Sequence, residues 1–250
     1  MNKFVMVFGL PRTGTTWAFN VAKEMLKGKD FNSGFAVRPS VNWVEDPQVV
    51  LLKTHTPWRL DELGSLLESG AGRLIMSVRN PGDTVLSQMR VMKSQGRRPK
   101  RTQMLETLAS DYERYLRAFA NYPEYLVIDE AEINSKTLEI CQSINSYCEF
   151  ENRSVKKIAE NYHKDLVSQT IQDIRNERGW QGTFDEYDEE THWHANHLHD
   201  GEYVVEWKPA EQQLIAQINK MLDQFKNNNN IRERTWSPNA HNLISSYISA

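Results

Sequence analysis

Apolar and polar residues alternate along the first half of the chain in blocks that predict a parallel sheet flanked by helices. Four short apolar runs have the length and composition of buried strands, and amphipathic stretches of helical length separate them. The predicted strands are 4–9, 49–54, 73–79 and 125–129, and the predicted helices are 14–27, 59–69, 81–95 and 103–121. Strands that alternate with helices in this way are typical of an α/β protein.

The second half of the chain is predicted to be mostly helical. Helical periodicity covers 135–148, 152–166 and 209–226, whereas 178–207 follows no regular period. A run of asparagines follows the last helix, so residues 228–250 are expected to form a loosely attached tail. Since the sequence contains no internal repeat, the 250 residues are expected to form one domain.

Composition and charge narrow the function classes. A net charge of -3 gives no reason to expect nucleic-acid binding. Cys141 and Cys148 lie seven positions apart in a helical segment, where two buried free thiols are expected. No stretch approaches the roughly 20 apolar residues of a membrane span. The first apolar run has the character of a buried strand, so we expect a cytoplasmic protein without a signal peptide.

A phosphate-binding loop is predicted where the first strand meets the first helix, in "GLPRTGTTW", which begins at Gly9. Its spacing matches G-x-x-x-x-G-K-[ST], except that Thr15 stands where the lysine belongs. Glycine-rich turns of this kind direct backbone N–H groups and a helix dipole at an anion. Because the lysine normally reaches the β- and γ-phosphates of a triphosphate, its absence favours a ligand with one transferred group, beside Arg12.

Two further motifs place cations and hydroxyls at strand ends. "LLKTHTP" ends a buried strand with Lys53 and His55, and "VRNPGDTVLS" ends the next one with Arg79 and carries Ser87 into a helix. Ligands of open α/β sheets bind at this carboxyl edge. An arginine and a hydroxyl that converge there can hold a second phosphate.

Together the three motifs resemble those of the sulfotransferases that use 3′-phosphoadenosine 5′-phosphosulfate (PAPS). "PRTGTTW" is similar to their 5′-phosphosulfate loop, "KTHTP" to their base-bearing strand, and "RNPGDTVLS" to their 3′-phosphate motif, with the same Arg-to-Ser spacing of eight. The resemblance covers roughly residues 3–130, in the same order and at similar intervals. It implies a P-loop-containing nucleotide hydrolase-like fold.

The resemblance also implies which residues bind the nucleotide. Trp17 would lie against the adenine, and Arg79 with Ser87 would hold the 3′-phosphate. The backbone and hydroxyls of the loop would hold the 5′-phosphosulfate, namely Thr13, Gly14, Thr15 and Thr16.

The implied reaction is an in-line sulfuryl transfer from PAPS to a hydroxyl or amine acceptor, with 3′,5′-phosphoadenosine (PAP) as product and no metal. His55 would be the general base, Arg12 would stabilise the leaving phosphate, and Lys53 would assist at the sulfuryl oxygens. The acceptor is expected to be a small molecule or a glycan, and phenol, sugar, lipid and peptide all remain open. A basic run at 96–101 is most simply a solvated loop. In the resembled family this region borders the acceptor entrance, where the run would attract an anionic acceptor. The sequence leaves the oligomeric state open.

Two other interpretations remain. In "YLVIDE", Asp129 and Glu130 follow a strand as the magnesium-holding carboxylates of P-loop ATPases do, which would suit a nucleotide kinase or ATPase using Mg-ATP. The missing lysine argues against it, and a polar strand end that caps the next helix explains the same residues. Alternating histidines could bind zinc or nickel in a non-enzymatic module, although a loop of solvated side chains also accounts for them. These histidines are His192, His194, His197 and His199.

Overall fold

The computed structural model describes most of the chain. The described residues are 3–35, 48–55, 67–70, 72–119, 125–180, 186, 188, 191, 193 and 205–227. The predicted tail at 228–250, the four alternating histidines, and the helix at 59–69 apart from its last three positions lie outside them.

Five parallel strands form the sheet in the described part of the chain, in the order β2-β3-β1-β4-β5. They are β1 (Lys3–Phe8), β2 (Phe31–Phe35), β3 (Val49–Thr54), β4 (Gly72–Val78) and β5 (Leu126–Asp129). Four of them correspond to predicted strands. The edge strand β2 was not predicted because its sequence, FNSGF, interrupts the apolar residues with asparagine, serine and glycine, which have weak strand signals.

Seven α-helices are present among the described residues. They are α1 (Thr15–Met25), α2 (Pro81–Ser94), α3 (Arg101–Phe119), α4 (Thr137–Tyr147), α5 (Val155–Asn161), α6 (Lys164–Arg178) and α7 (Pro209–Asn227). The single helix predicted at 152–166 is wrong, because His163 has extended backbone angles that separate α5 from α6. The carbonyl of Tyr162, beside this break, accepts a hydrogen bond from the Trp17 indole. This tertiary contact is invisible to a periodicity argument.

The helices cover both faces of the sheet. Along β1, Phe4, Met6 and Phe8 face one hydrophobic cluster, whereas Val5 and Val7 face the other. Helices α2, α3 and α7 pack into the first cluster, and α1, α4, α5 and α6 pack into the second. The prediction of an α/β fold with a central parallel sheet and a mostly helical C-terminal part is therefore confirmed.

Three strands end side by side in the middle of the sheet. Phe8, the last residue of β1, pairs with Thr54 of β3 on one side and with Met76 of β4 on the other. The chain segments that follow these strands therefore leave the sheet at one edge, which is where open α/β sheets bind ligands. In the described ranges, no helix is long and apolar enough to cross a membrane. Both cysteines are buried free thiols, as predicted.

Candidate functional site

The loop between β1 and α1 turns through two residues in the left-handed region. Arg12 has φ 73° and Gly14 has φ 88°, and α1 begins directly after Gly14. The close approach of this 9–14 loop to β4 also requires a glycine at its start, because a Cβ on Gly9 would lie 2.1 Å from Ser77 Oγ. The first N–H groups of a helix have no partner within the helix, so the start of α1 is suited to binding an anion.

A cluster of buried hydroxyls fixes the loop to the sheet. Ser77 Oγ on β4 shares hydrogen bonds with Thr13 Oγ1 at 3.1 Å and with Thr15 Oγ1 at 2.8 Å. Thr13 Oγ1 also donates to the Leu10 carbonyl at 2.7 Å. These two threonine hydroxyls, which the resemblance assigned to the ligand, bond to the protein in this structure. The backbone N–H of Thr15 lies at the start of α1, and that of Thr13 lies in the 9–14 loop.

Lys53 reaches the first turn of α1 from the end of β3. Its Nζ donates a 2.7 Å hydrogen bond to Thr16 Oγ1, and the residue is only 2% exposed. Burial lowers the pKa of Lys53 to about 7, since a low-dielectric environment disfavours the charged amine. An anion bound at the start of α1 would stabilise the protonated form of Lys53.

The ring of His55 is oriented by the backbone of the 9–14 loop. His55 Nδ1 lies 2.7 Å from the carbonyl oxygen of Gly9. Because a carbonyl only accepts, Nδ1 carries the proton, and in the neutral ring Nε2 has the lone pair. This is the tautomer that a general base acting through Nε2 requires.

Guanidinium groups gather on the other side of the loop. Arg12 Nε donates to Ser87 Oγ at 2.9 Å, and Arg79 Nη1 donates to the Arg12 carbonyl at 3.3 Å. Burial, followed by the charges of Arg79 and Arg90, lowers the pKa of Arg12 to about 10. Arg79 Nε also lies 3.2 Å from a carboxylate oxygen of Glu130. The positive charges of Arg79 and Arg90 thus disfavour the charged form of Arg12, and an anionic ligand bound beside Arg12 would offset that repulsion.

Known protein structures resemble this chain in its fold. No family model and no curated protein matches the sequence. Among solved structures, a mouse sulfotransferase, SULT7A1, complexed with PAP matches with a TM-score of 0.59 and 14% identity, over 90% of this chain and 88% of that one. Retinol dehydratase, in complex with androsterone and inactive cofactor PAP, matches with a TM-score of 0.50 and 12% identity, over 92% and 82% of the two chains. The chain has the sulfotransferase fold.

Within this fold, Trp17 is held in a fixed position. It is 5% exposed, lies in the first turn of α1, and donates its indole N–H to the Tyr162 carbonyl at 2.8 Å. The proposed adenine contact of Trp17 remains a prediction. Trp43 and Trp58, which also border these motifs in the sequence, lie outside the described residues.

The two carboxylates at the end of β5 are both engaged with cations. Asp129 caps a short 3₁₀ turn by accepting a hydrogen bond from the Ala131 N–H. The Asp129 carboxylate also pairs with Lys226 of α7. Glu130 pairs with Arg79. The nucleotide kinase alternative needs these carboxylates for magnesium, so the ion pairs favour the capping interpretation. In the described residues, no group of three His, Cys, Asp or Glu side chains could hold a metal ion.

Sequence reasoning missed two residues of the site. Arg90 follows Ser87 by three positions on α2, so the helical spacing that places both on one face was a usable signal. Glu130 was interpreted as a strand end or as a magnesium-holding carboxylate, but not as a partner of Arg79. Its pairing with Arg79 depends on the adjacency of β4 and β5, which no local pattern reveals.

Proposed function

We propose that the protein is a sulfotransferase that transfers the sulfuryl group of PAPS to a hydroxyl or amine acceptor and releases PAP. One observation carries the proposal: the 9–14 loop, His55 and the cluster of Arg12, Arg79 and Ser87 lie together at the ends of three adjacent strands. The likeness of the fold to two proteins solved with PAP supports it.

The residues present suit a ligand with two separated anionic groups. The N–H groups at the start of α1 and the positive end of its dipole would bind the 5′-phosphosulfate. Arg79 and Ser87 would bind the 3′-phosphate, and Arg79 would then exchange part of its contact with Glu130 for the ligand. Trp17 would lie against the adenine.

PAPS supplies an activated sulfuryl group, and the protein supplies positioning, a base and positive charge. His55 Nε2 takes the proton of the acceptor hydroxyl as the acceptor oxygen bonds to sulfur. Lys53 neutralises charge on the sulfuryl oxygens, and Arg12 neutralises the charge that develops on the leaving phosphate as its bond to sulfur breaks. Since these two side chains carry the positive charge, the proposed step uses no metal.

A screen of acceptors by mass spectrometry tests the proposal. The protein is incubated with PAPS and a panel of phenols, sugars, lipids and peptides, and separately with Mg-ATP and the same panel. We expect products that carry one added sulfuryl group, together with an equal amount of PAP. Phosphorylated products from Mg-ATP, with no PAP formed beyond that in a heat-inactivated control, would contradict the proposal.

A further inference from the structure

A cavity of about 630 Å³ lies beside the candidate site, between α2, the start of α3 and the segment that leads into α7. Its charged lining is strongly basic. Five of its residues carry positive charge, namely Arg90, Lys93, Lys100, Arg101 and Lys208, and one carries negative charge, namely Glu211. Because the whole chain has a net charge of -3, this is a local concentration of positive charge on an acidic protein.

The single carboxylate that lines the cavity already has three partners within the protein. Glu211 pairs with Arg101 at 3.1 Å and accepts hydrogen bonds from the Thr102 hydroxyl at 3.3 Å and the Lys208 N–H at 3.0 Å. Among the described residues, no acidic side chain pairs with Lys93, Lys100 or Lys208. In the described part of the chain, the positive charge of these three lysines is therefore not balanced by an ion pair.

Fixed contacts between elements hold the walls of the cavity in place. The Arg101 guanidinium lies 5.0 Å from the centre of the Trp207 ring and also donates to the Glu206 carbonyl at 3.2 Å. Trp207 packs against the start of α2 so closely that a Cβ on Gly82 would lie 3.1 Å from its ring. The segment before α7 is thus fastened to both α2 and α3, and the cavity between them is preformed.

Helix α2 connects this cavity to the candidate site. Leu86 and Arg90 line the cavity, whereas Ser87, between them on α2, bonds to Arg12 in the site. The positive charge of Arg90 is one of the causes that lower the pKa of Arg12. The cavity and the proposed 3′-phosphate contact therefore use neighbouring residues of one turn of α2.

We propose that this basic cavity binds the negatively charged groups of the acceptor. The acceptor would then be a hydroxyl-bearing molecule with two or more carboxylate, phosphate or sulfate groups. This inference rests on the proposed function. A preformed cavity of this volume is in the range of pockets that bind small molecules, and several like charges in a concave site raise the local concentration of an anionic substrate.

Calorimetry with two polyanions tests the inference. Tetragalacturonate carries hydroxyls and carboxylates, its methyl ester keeps the hydroxyls without the charge, and tripolyphosphate is an anion without a sugar. Each is titrated into nucleotide-free and PAP-saturated protein. The variant is Lys93→Ala/Lys100→Ala, and the matched control, Lys156→Ala/Lys157→Ala, removes the same charge from exposed positions on α5.

We expect at least one polyanion to bind PAP-saturated protein, and the methyl ester to bind at least tenfold more weakly than tetragalacturonate. The double substitution in the cavity should weaken binding of the polyanion about tenfold, and the double substitution on α5 should leave it unchanged. PAP affinity should be the same in all three proteins, so a wild-type protein that fails to bind PAP contradicts the proposed function and not the cavity. Failure of both polyanions, loss of their binding when PAP is present, or equal effects of the two lysine pairs would overturn the inference. Tighter binding of tetragalacturonate than of tripolyphosphate would favour an acidic sugar as the acceptor, and the reverse order would favour a phosphate-bearing molecule.

Discussion

The hydrogen bond from His55 to the Gly9 carbonyl makes Nε2 the basic nitrogen of the neutral ring. If this nitrogen takes the acceptor's proton, His55→Ala should lower kcat about 10²- to 10⁴-fold, which is the usual contribution of a general base. PAP affinity should change little, because the histidine is not among the proposed nucleotide contacts. Steady-state kinetics with any acceptor found in the screen, together with PAP titration, measures both quantities.

A His55→Ala variant with a kcat near that of the wild type would remove this residue from the mechanism. An acidic residue of the segment before β3 would then be the next candidate for the base. Glu45 and Asp46 are the nearest such residues in the sequence, and both lie outside the described residues.

We expect nucleotide binding to be coupled to protonation of Lys53. Because burial lowers its pKa to about 7, Lys53 is mostly neutral in the nucleotide-free protein at pH 8. A bound sulfuryl group or phosphate favours the charged amine, so nucleotide binding at pH 8 should take up close to one proton, and affinity should fall as pH rises above 7. Calorimetry in two buffers with different ionisation enthalpies measures the uptake.

The Lys53→Met variant is the control for this linkage, because it keeps much of the side-chain volume without the amine. It should bind nucleotide more weakly and with little proton uptake. The same proton uptake in Lys53→Met and wild type would show that another group titrates on binding.

The 9–14 loop, α1 and β4 act as one unit, joined by the hydroxyl cluster of Thr13, Thr15 and Ser77. Ser77→Ala removes a buried partner of both threonines, so it should lower the free energy of unfolding by about 1–3 kcal/mol. PAP affinity should fall as well, because the loop loses its attachment to β4. Ser143→Ala, an exposed change on α4 that loses only a local bond to the Glu139 carbonyl, is the matched control.

Denaturant unfolding measures both variants. If Ser77→Ala and Ser143→Ala have the same stability and the same PAP affinity, then the hydroxyl cluster does not support the loop.

The elements that form the candidate site were also those that the sequence predicted best. The 9–14 loop and the start of α2 depend on local rules: a glycine that tolerates positive φ, and Asn80, whose side chain accepts from the N–H groups of Gly82 and Asp83. The strand β2 and the break between α5 and α6 depend instead on pairing with β3 and on the contact of Tyr162 with Trp17. Such tertiary effects override the local pattern.

At the scale of the whole molecule, the site exists because the sheet order places the ends of β1, β3 and β4 side by side. The motifs predicted that Arg12, His55 and Arg79 meet at this edge, since parallel strands end together. The basic run at 96–101 marked part of the basic cavity, since it contributes Lys100 and Arg101. The sequence could not predict the cavity itself, whose walls come from α2, from α3 and from a segment more than a hundred residues further on. That arrangement follows from the packing of α7 against α3, which has no signal in any single stretch.

Recognition of a 3′-phosphate separates the proposed donor from ordinary adenine nucleotides, and Arg79 is the side chain expected to provide it. PAP and adenosine 5′-phosphate, which lacks only the 3′-phosphate, are titrated without magnesium into wild-type, Arg79→Ala and Glu130→Gln protein. Charge-assisted hydrogen bonds worth about 1.5–3 kcal/mol predict that the wild type binds PAP about 10- to 150-fold more tightly than adenosine 5′-phosphate. Arg79→Ala should remove most of that ratio, while Glu130→Gln should keep it.

Arg79 also donates to the Arg12 carbonyl, so Arg79→Ala can disturb the 9–14 loop itself. Such general damage would weaken both ligands, whereas loss of the 3′-phosphate contact would weaken only PAP. The account predicts that Arg79→Ala weakens PAP strongly and adenosine 5′-phosphate little. Equal affinity of the two nucleotides for the wild type, or an equal loss of both in Arg79→Ala, would contradict it.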